Sequence, residues 1–153
     1  MSDSHDNLPM IARALDVFDR RNVQVLLHAG DFIAPFAVKA VLRFGGPIHS
    51  VFGNNDGEKI GIGKTLPDVQ DPPLYFTLAD KTFCMVHDIA VVDDVSALDV
   101  DVLVFGHDHS PDIKPGRPLV INPGETGGWL YGTPQVAVLD TDSMRVEAIP
   151  LDG

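Results

Sequence analysis

His107 and His109 lie one residue apart in Gly106-His107-Asp108-His109, directly after the apolar run Val102-Leu103-Val104-Phe105. On an extended backbone, residues i and i+2 share a side, so the spacing predicts two imidazoles facing the same way, a geometry for gripping a metal ion. Further polar clusters are Asp3-Ser4-His5, Gly30-Asp31, Gly53-Asn54-Asn55-Asp56 and His87. Together they offer carboxylate oxygen, amide oxygen and imidazole nitrogen, the mixed donor set that first-row divalent ions accept, and no thiolate. Glycines beside the clusters are expected to let the backbone turn sharply and a bulky substrate come close. Taken singly, each residue has a plainer reading: surface histidines, a turn-forming Asp31, a turn at Asn54-Asn55. Their common place after strand-like runs is what argues for a site. His49 lies inside such a run and is assigned to structure, and Asp88 and Asp108 are either partners of neighbouring histidines or solvated.

The positioning elements follow from apolar spacing. Asn7 can cap a helix with Ile11, Ala14, Leu15 and Phe18 on one face, ending near Asn22. Strands are predicted over Val23 to Leu27 and Ile48 to Phe52, with a helix from Pro35 to Phe44 between them, stopped by Gly45-Gly46-Pro47. Gly57 to Pro73 reads as a long loop with room for a short helix. A hairpin is expected at Leu74 to Leu78 and Thr82 to Val86, then a short helix over Ala90 to Leu98 and a strand over Val102 to Phe105. A proline-rich connection leads to a strand at Leu119 to Asn122, and a hairpin of Gln135 to Leu139 with Arg145 to Ile149 closes the chain. This order fits a layered α/β sandwich; no glycine-rich turn of the dinucleotide or P-loop type is present.

The 153 residues suit one domain with a substantial core. At 44% hydrophobic and 22% charged, the composition is that of a globular protein. No apolar run approaches the roughly 18 residues of a membrane span. The opening Met-Ser-Asp-Ser-His-Asp lacks the basic and apolar regions of a signal peptide, so a cytoplasmic location is expected. Cys84 is the only cysteine, which excludes an internal disulfide and a multi-cysteine zinc knuckle; its neighbours Phe83, Met85 and Val86 suggest a packed thiol. A net charge of -11 repels polyanions and disfavours duplex nucleic acid, whereas a small anionic substrate stays compatible once bound cations reverse the local sign.

The ordered set Asp-x-His at Asp3 and His5, Gly-Asp at Asp31, Gly-Asn-x-Asp at Asn54, a lone His87, and Gly-His-x-His at His107 and His109 resembles the calcineurin-like metallophosphoesterases. It is most similar to their small single-domain bacterial and archaeal phosphodiesterases, and the Asn-Pro-Gly turn at Asn122 resembles that group too. The resemblance implies a two-sheet β-sandwich flanked by helices in four layers, with two divalent metal ions at the carboxyl ends of the strands. Manganese is the expected metal, with nickel, iron, cobalt or zinc as alternatives. By the same resemblance Asp3, His5, Asp31 and His109 hold one ion and Asp31, Asn54, His87 and His107 the other, Asp31 bridging. A hydroxide shared by the two would attack phosphorus in line, with Asn54 and Asn55 contacting the substrate, a small phosphodiester.

Two features depart from that pattern. Many relatives carry a histidine where this chain has Asn55, and an amide can donate a hydrogen bond but not a proton near neutral pH. Relatives also precede the Asp-x-His motif with a central strand of about six residues, whereas only Met1 and Ser2 precede Asp3, which predicts unpaired backbone groups in the sheet. These departures favour the alternative of a catalytically weak scaffold on the same fold, as in the retromer subunit that resembles these enzymes. A phosphomonoesterase or pyrophosphatase of the same chemistry is a third option. Oligomeric state, homodimer included, is left open.

Overall fold

The computed structural model describes residues 1–151. Asn7 opens helix α1 (Leu8–Arg20) by accepting the Met10 N–H, and the helix buries Ile11, Ala14, Val17 and Phe18. Strand β1 (Leu26–His28) pairs in parallel with β2 (Ile48–Ser50), so the ladder starts later than the apolar run suggests. Helix α2 (Pro35–Val41) tightens into a 3-10 turn at Leu42–Phe44 and ends at Gly45, whose φ of 74° is the left-handed conformation glycine adopts without strain. The long loop contains helix α3 (Lys59–Thr65).

Strands β3 (Leu74–Leu78) and β4 (Lys81–Met85) form the expected hairpin. The helix expected over Ala90 to Leu98 does not form. Its place is taken by 3-10 turns at Ile89–Val91 and Val95–Ala97, opened by Asp88 and Asp94, whose carboxylates accept the amides of Ala90 and Ser96. Such local side-chain bonds compete with a helix, and β-branched valines add little propensity to oppose them. After β5 (Val102–Val104), the proline-rich connection holds an unexpected edge strand, β6 (Asp112–Lys114), paired antiparallel with β7 (Leu119–Asn122). Three residues are too few for alternation to be read. The closing hairpin is β8 (Gln135–Asp140) and β9 (Arg145–Pro150).

Alternation along the strands builds the layers. Leu26, Val136 and Ile149 face a core shared with α1, α2 and α3, while Leu27, Ala137 and Val146 face the five-stranded sheet β3-β4-β5-β7-β6. That sheet sends Phe83, Met85, Val104 and Ile121 inward against them. Its other face, with Cys84, Leu103 and Val120, is covered by Ile89, Val92, Val95 and Leu98 from the 3-10 turns. The fold is thus α/β: the five-stranded sheet faces the β1-β2 and β8-β9 ladders, flanked by helical segments, in keeping with the layered arrangement implied by the resemblance. Cys84 is fully buried among apolar neighbours, in keeping with a packing role.

The unpaired backbone expected at the amino end is not found. The Met1 amino group donates to Leu27 O (2.8 Å), Ala29 N to Met1 O (3.0 Å), and Asp3 N to Gly30 O (3.0 Å). On the other flank, Thr126 N and Gly127 N donate to Ser2 O and Asp3 O. Residues 1–3 therefore take a strand's place between β1 and residues 126–127. An apolar cleft opens at Met1, lined by Val25, Leu27, Phe83, Ala137 and Leu139.

His28, at the end of β1, is buried, stacks on Phe32 with centroids 3.7 Å apart, and has Nε2 3.1 Å from Ser4 Oγ. Burial pushes its pKa well below the ordinary value. The unfolded chain therefore binds a proton at His28 below about pH 6.5 that the folded chain refuses, so stability is present above that pH and lost as pH falls. The buried Met1 amino group, lowered to about 5 despite Asp3, acts with the same sign, whereas His5 and His87 are raised and act oppositely. Comparison with His28→Gln isolates the His28 contribution. In urea unfolding of the metal-free protein, the wild type is expected to lose about 1.4 kcal/mol per pH unit more than the variant below pH 6.5. Parallel pH profiles would exclude His28 as the cause.

Candidate metal centre

Strands β4, β5 and β7 run parallel, as do β1 and β2, so their carboxyl ends gather polar loops in one place. Asp31 follows β1, Asn54 follows β2, His87 follows β4, and His107 and His109 follow β5. Cross-links join the loops: Gly106 N donates to His87 O, and His107 N donates to the Asp3 carboxylate (3.1 Å).

Asp3, His5, Asp31, His107 and His109 all have positive φ, between 43° and 70°. Non-glycine residues held in this region cost on the order of 1–3 kcal/mol each and persist where the surroundings over-determine them, commonly at functional sites. This turning corrects the expectation for the Gly-His-x-His stretch. Its imidazoles do not share one side: His107 Nδ1 reaches Asn54 Oδ1 at 2.9 Å, while His109 Nε2 lies 3.3 Å from His5 Nε2 and 3.5 Å from Asp3 Oδ1.

All the residues singled out as ligands converge. Asp31 Oδ2 sits 3.4 Å from both His5 Nε2 and His87 Nε2. His87 Nε2 is also 2.8 Å from Asn54 Oδ1. Ligand atoms of Asp3, His5 and His109 lie within 4.8 Å of one another, and so do those of Asp3, Asp31 and His87. Both Asp3 and Asp31 are thus placed between the two sets of donors, where the resemblance implied Asp31 alone.

The donor chemistry fits cations. His87 Nδ1 faces the carbonyl of Ala29 at 2.8 Å and must carry the proton it donates there. A neutral His87 then turns the Nε2 lone pair toward Asn54 Oδ1 and Asp31 Oδ2, which are acceptors as well. His109 repeats the pattern, with Nδ1 2.8 Å from Glu125 Oε2 and Nε2 directed at Asp3 and His5. Asp3 Oδ1 is buried with no hydrogen-bond partner among the described residues. Lone pairs facing lone pairs in a buried site call for a positive charge between them.

The Asp3 carboxylate, 3.8 Å from Nε2, raises the pKa of His5 against the pull of burial, helped by Asp31. Burial pulls His87 down, but Asp31 and the Ala29 carbonyl raise it overall. Burial also works against ionisation of Asp31, yet the bonds from His87 and Asn55 outweigh it and hold the carboxyl far below the usual range.

Asn55, expected to meet substrate, also braces Asp31. Its backbone N–H donates to Asp31 Oδ1 (2.9 Å) and its side-chain amide to Asp31 Oδ2 (2.7 Å). The glycines also serve the protein itself: a Cβ on Gly53 would overlap the Asp31 carboxylate, and one on Gly30 would come within 2.7 Å of His87 Nδ1. The space expected for a bulky substrate at these glycines is thus filled by site residues. Asp88 lies 3.8 Å from His107 Nε2, Asp108 is exposed, and His49 stacks on Phe76 away from the cluster.

Glu125 and Asp56 were not anticipated. Glu125, fully buried, orients His109. Asp56 accepts the amides of Asp31, Gly53 and Ile33 at 2.7–3.0 Å and braces the Asp31 turn. The signal for Asp56 was its place in Gly-Asn-Asn-Asp, where the turn reading stopped at Asn55. For Glu125, an acid after Asn-Pro-Gly carries no local sign of a partner 16 residues away.

Residues 1–144 match the family model of the calcineurin-like phosphoesterase superfamily domain. The phosphodiesterase MJ0936 of Methanocaldococcus jannaschii is 33% identical over 162 aligned positions, covering 99% of this chain and 97% of that protein. The solved structure of an archaeal phosphodiesterase superposes with a TM-score of 0.88 at 31% identity, covering 98% of this chain and 96% of the other. Vps29 of Chaetomium thermophilum gives 0.70 at 15% identity, covering 98% and 91%, a likeness of fold alone.

Proposed function

This chain belongs to the calcineurin-like phosphoesterase superfamily, and we propose that it is a cytoplasmic single-domain phosphodiesterase that uses two divalent cations, Mn2+ foremost, to hydrolyse small phosphodiesters. The observation that carries this reading is the meeting of acceptors around Asp31: Oδ2 lies 3.4 Å from the ring nitrogens of both His5 and His87. Asp3, His5, Asp31 and His109 would hold one cation and Asp31, Asn54, His87 and His107 the other. When bound, such a pair neutralises charge on phosphoryl oxygens and acidifies water enough to serve as nucleophile near neutral pH.

The protein's own part is preorganisation. Ala29 O and Glu125 keep the Nε2 atoms of His87 and His109 free to ligate, and Asn55 and Asp56 fix the Asp31 carboxylate and its backbone. Asn54 and Asn55 are exposed at the mouth of the site, the position for meeting a phosphoryl group.

The test is a screen of chelator-treated protein reloaded with Mn2+, Ni2+, Fe2+, Co2+ or Zn2+, assayed on an aryl phosphodiester and an aryl phosphomonoester, with bound metal counted. Two equivalents of metal and turnover of the diester in preference to the monoester are expected. Preference for the monoester would make it a phosphomonoesterase. Bound metal without turnover of either ester would leave the scaffold reading.

A further inference from the structure

Beyond Glu125 the chain presents large apolar side chains in succession, Trp129, Leu130 and Tyr131, with 67%, 61% and 60% of their surface exposed. Apolar side chains grouped on a surface mark places where something binds. This run is held firmly. Trp129 Nε1 donates to His5 O at 3.0 Å, and the amides of Leu130 and Tyr131 donate to the Glu125 carboxylate at 3.0 and 2.7 Å. The Glu125 oxygen that accepts from Leu130 also meets His109 Nδ1. Gly127, at the foot of the loop, sits so tightly on the chain before it that a Cβ would come within 3.0 Å of the carbonyls of Asp3 and Ser4.

The loop is therefore tied to residues on one side of the candidate metal centre, His5 and His109, and leaves its aromatic surface open beside them. We propose that Trp129 and Tyr131 form a platform that seats the planar, apolar ester group of a phosphodiester, an aryl ring or a nucleobase, while the phosphoryl group lies over the metal centre. This rests on the phosphodiesterase reading above. A ring stacked on an aromatic side chain gains attraction that does not depend on charge. Such a contact suits a chain whose net charge of -11 otherwise repels an anionic ester.

Trp129 is the only tryptophan, so its emission reports this position directly. The experiment measures binding of diphenyl phosphate and dimethyl phosphate to Mn2+-loaded protein by calorimetry, and by tryptophan emission in the wild type. Diphenyl phosphate is expected to alter Trp129 emission and to bind about tenfold more weakly to Trp129→Ala. Dimethyl phosphate should bind both proteins alike. Trp129→Phe, which keeps a ring but loses the N–H bond to His5 O, should recover most of the diphenyl phosphate affinity. Equal weakening of both ligands, or unchanged affinity for diphenyl phosphate in Trp129→Ala, would overturn the platform while wild-type diester turnover left the phosphodiesterase reading intact. If the wild type hydrolyses no diester with any of the metals, the phosphodiesterase reading fails and the platform with it.

Discussion

Asp31→Asn is expected to reduce phosphodiester hydrolysis by at least about 1000-fold, the largest effect of any single change in this protein. The asparagine keeps the size of the side chain but removes its charge, which in the proposed site offsets the repulsion of two cations. Charge neutralisation by such ions contributes several kcal/mol in the transition state, and about 4 kcal/mol corresponds to three orders of magnitude in rate. The change acts on the metal-free protein as well. Its amide must still take part in a network where Asn55 already donates to both carboxylate oxygens, so one of its ends will set donor against donor. Metal counting should find less than the wild-type equivalents. His49→Gln serves as the control, because His49 stacks on Phe76 outside the cluster, and its activity should stay within about twofold of wild type. Similar losses in the two variants would show that the site has been misassigned.

Asn55→His should produce the next largest effect, seen as a change in leaving-group preference rather than in rate alone. General acid catalysis contributes roughly 100-fold or more where the leaving group is strongly basic, and little for an activated aryl ester. A histidine at position 55 restores a side chain able to give up a proton near neutral pH. It also removes the 2.7 Å bond from the Asn55 amide to Asp31 Oδ2, so the rate on activated esters should fall moderately. The ratio of rates on alkyl and activated aryl diesters is therefore expected to rise about 100-fold, measured as kcat/KM for both ester types. A ratio that stays constant would rule out a proton-donor position there and leave Asn55 solely as the residue that holds Asp31.

The double role of position 55 illustrates what the amino-acid order makes visible. That Asn55 cannot donate a proton is a property of its side chain and needs no structure. That it grips both oxygens of Asp31, 24 residues away, is a property of how two strand ends meet, and nothing local announces it.

The same division holds across the molecule. Ligand-competent residues after apolar runs, the α1 cap at Asn7 and the β3–β4 and β8–β9 hairpins are local patterns, set by side-chain type and period, and were legible in the chain itself. Tertiary structure alone decided that His107 and His109 part company, because their left-handed backbone breaks the two-residue period on which the shared-side expectation rests. It alone brought buried Glu125 onto His109 and tied the Trp129 loop to the same carboxylate. It likewise let Met1 to Asp3 take strand pairing on both flanks, since hydrogen-bond partners at β1 and at residues 126–127 become neighbours only when the sheet assembles. Short-range periodicity specifies which face of an element is apolar; which distant polar atoms then meet depends on packing those faces together, and the charge balance of the site is a consequence of that meeting.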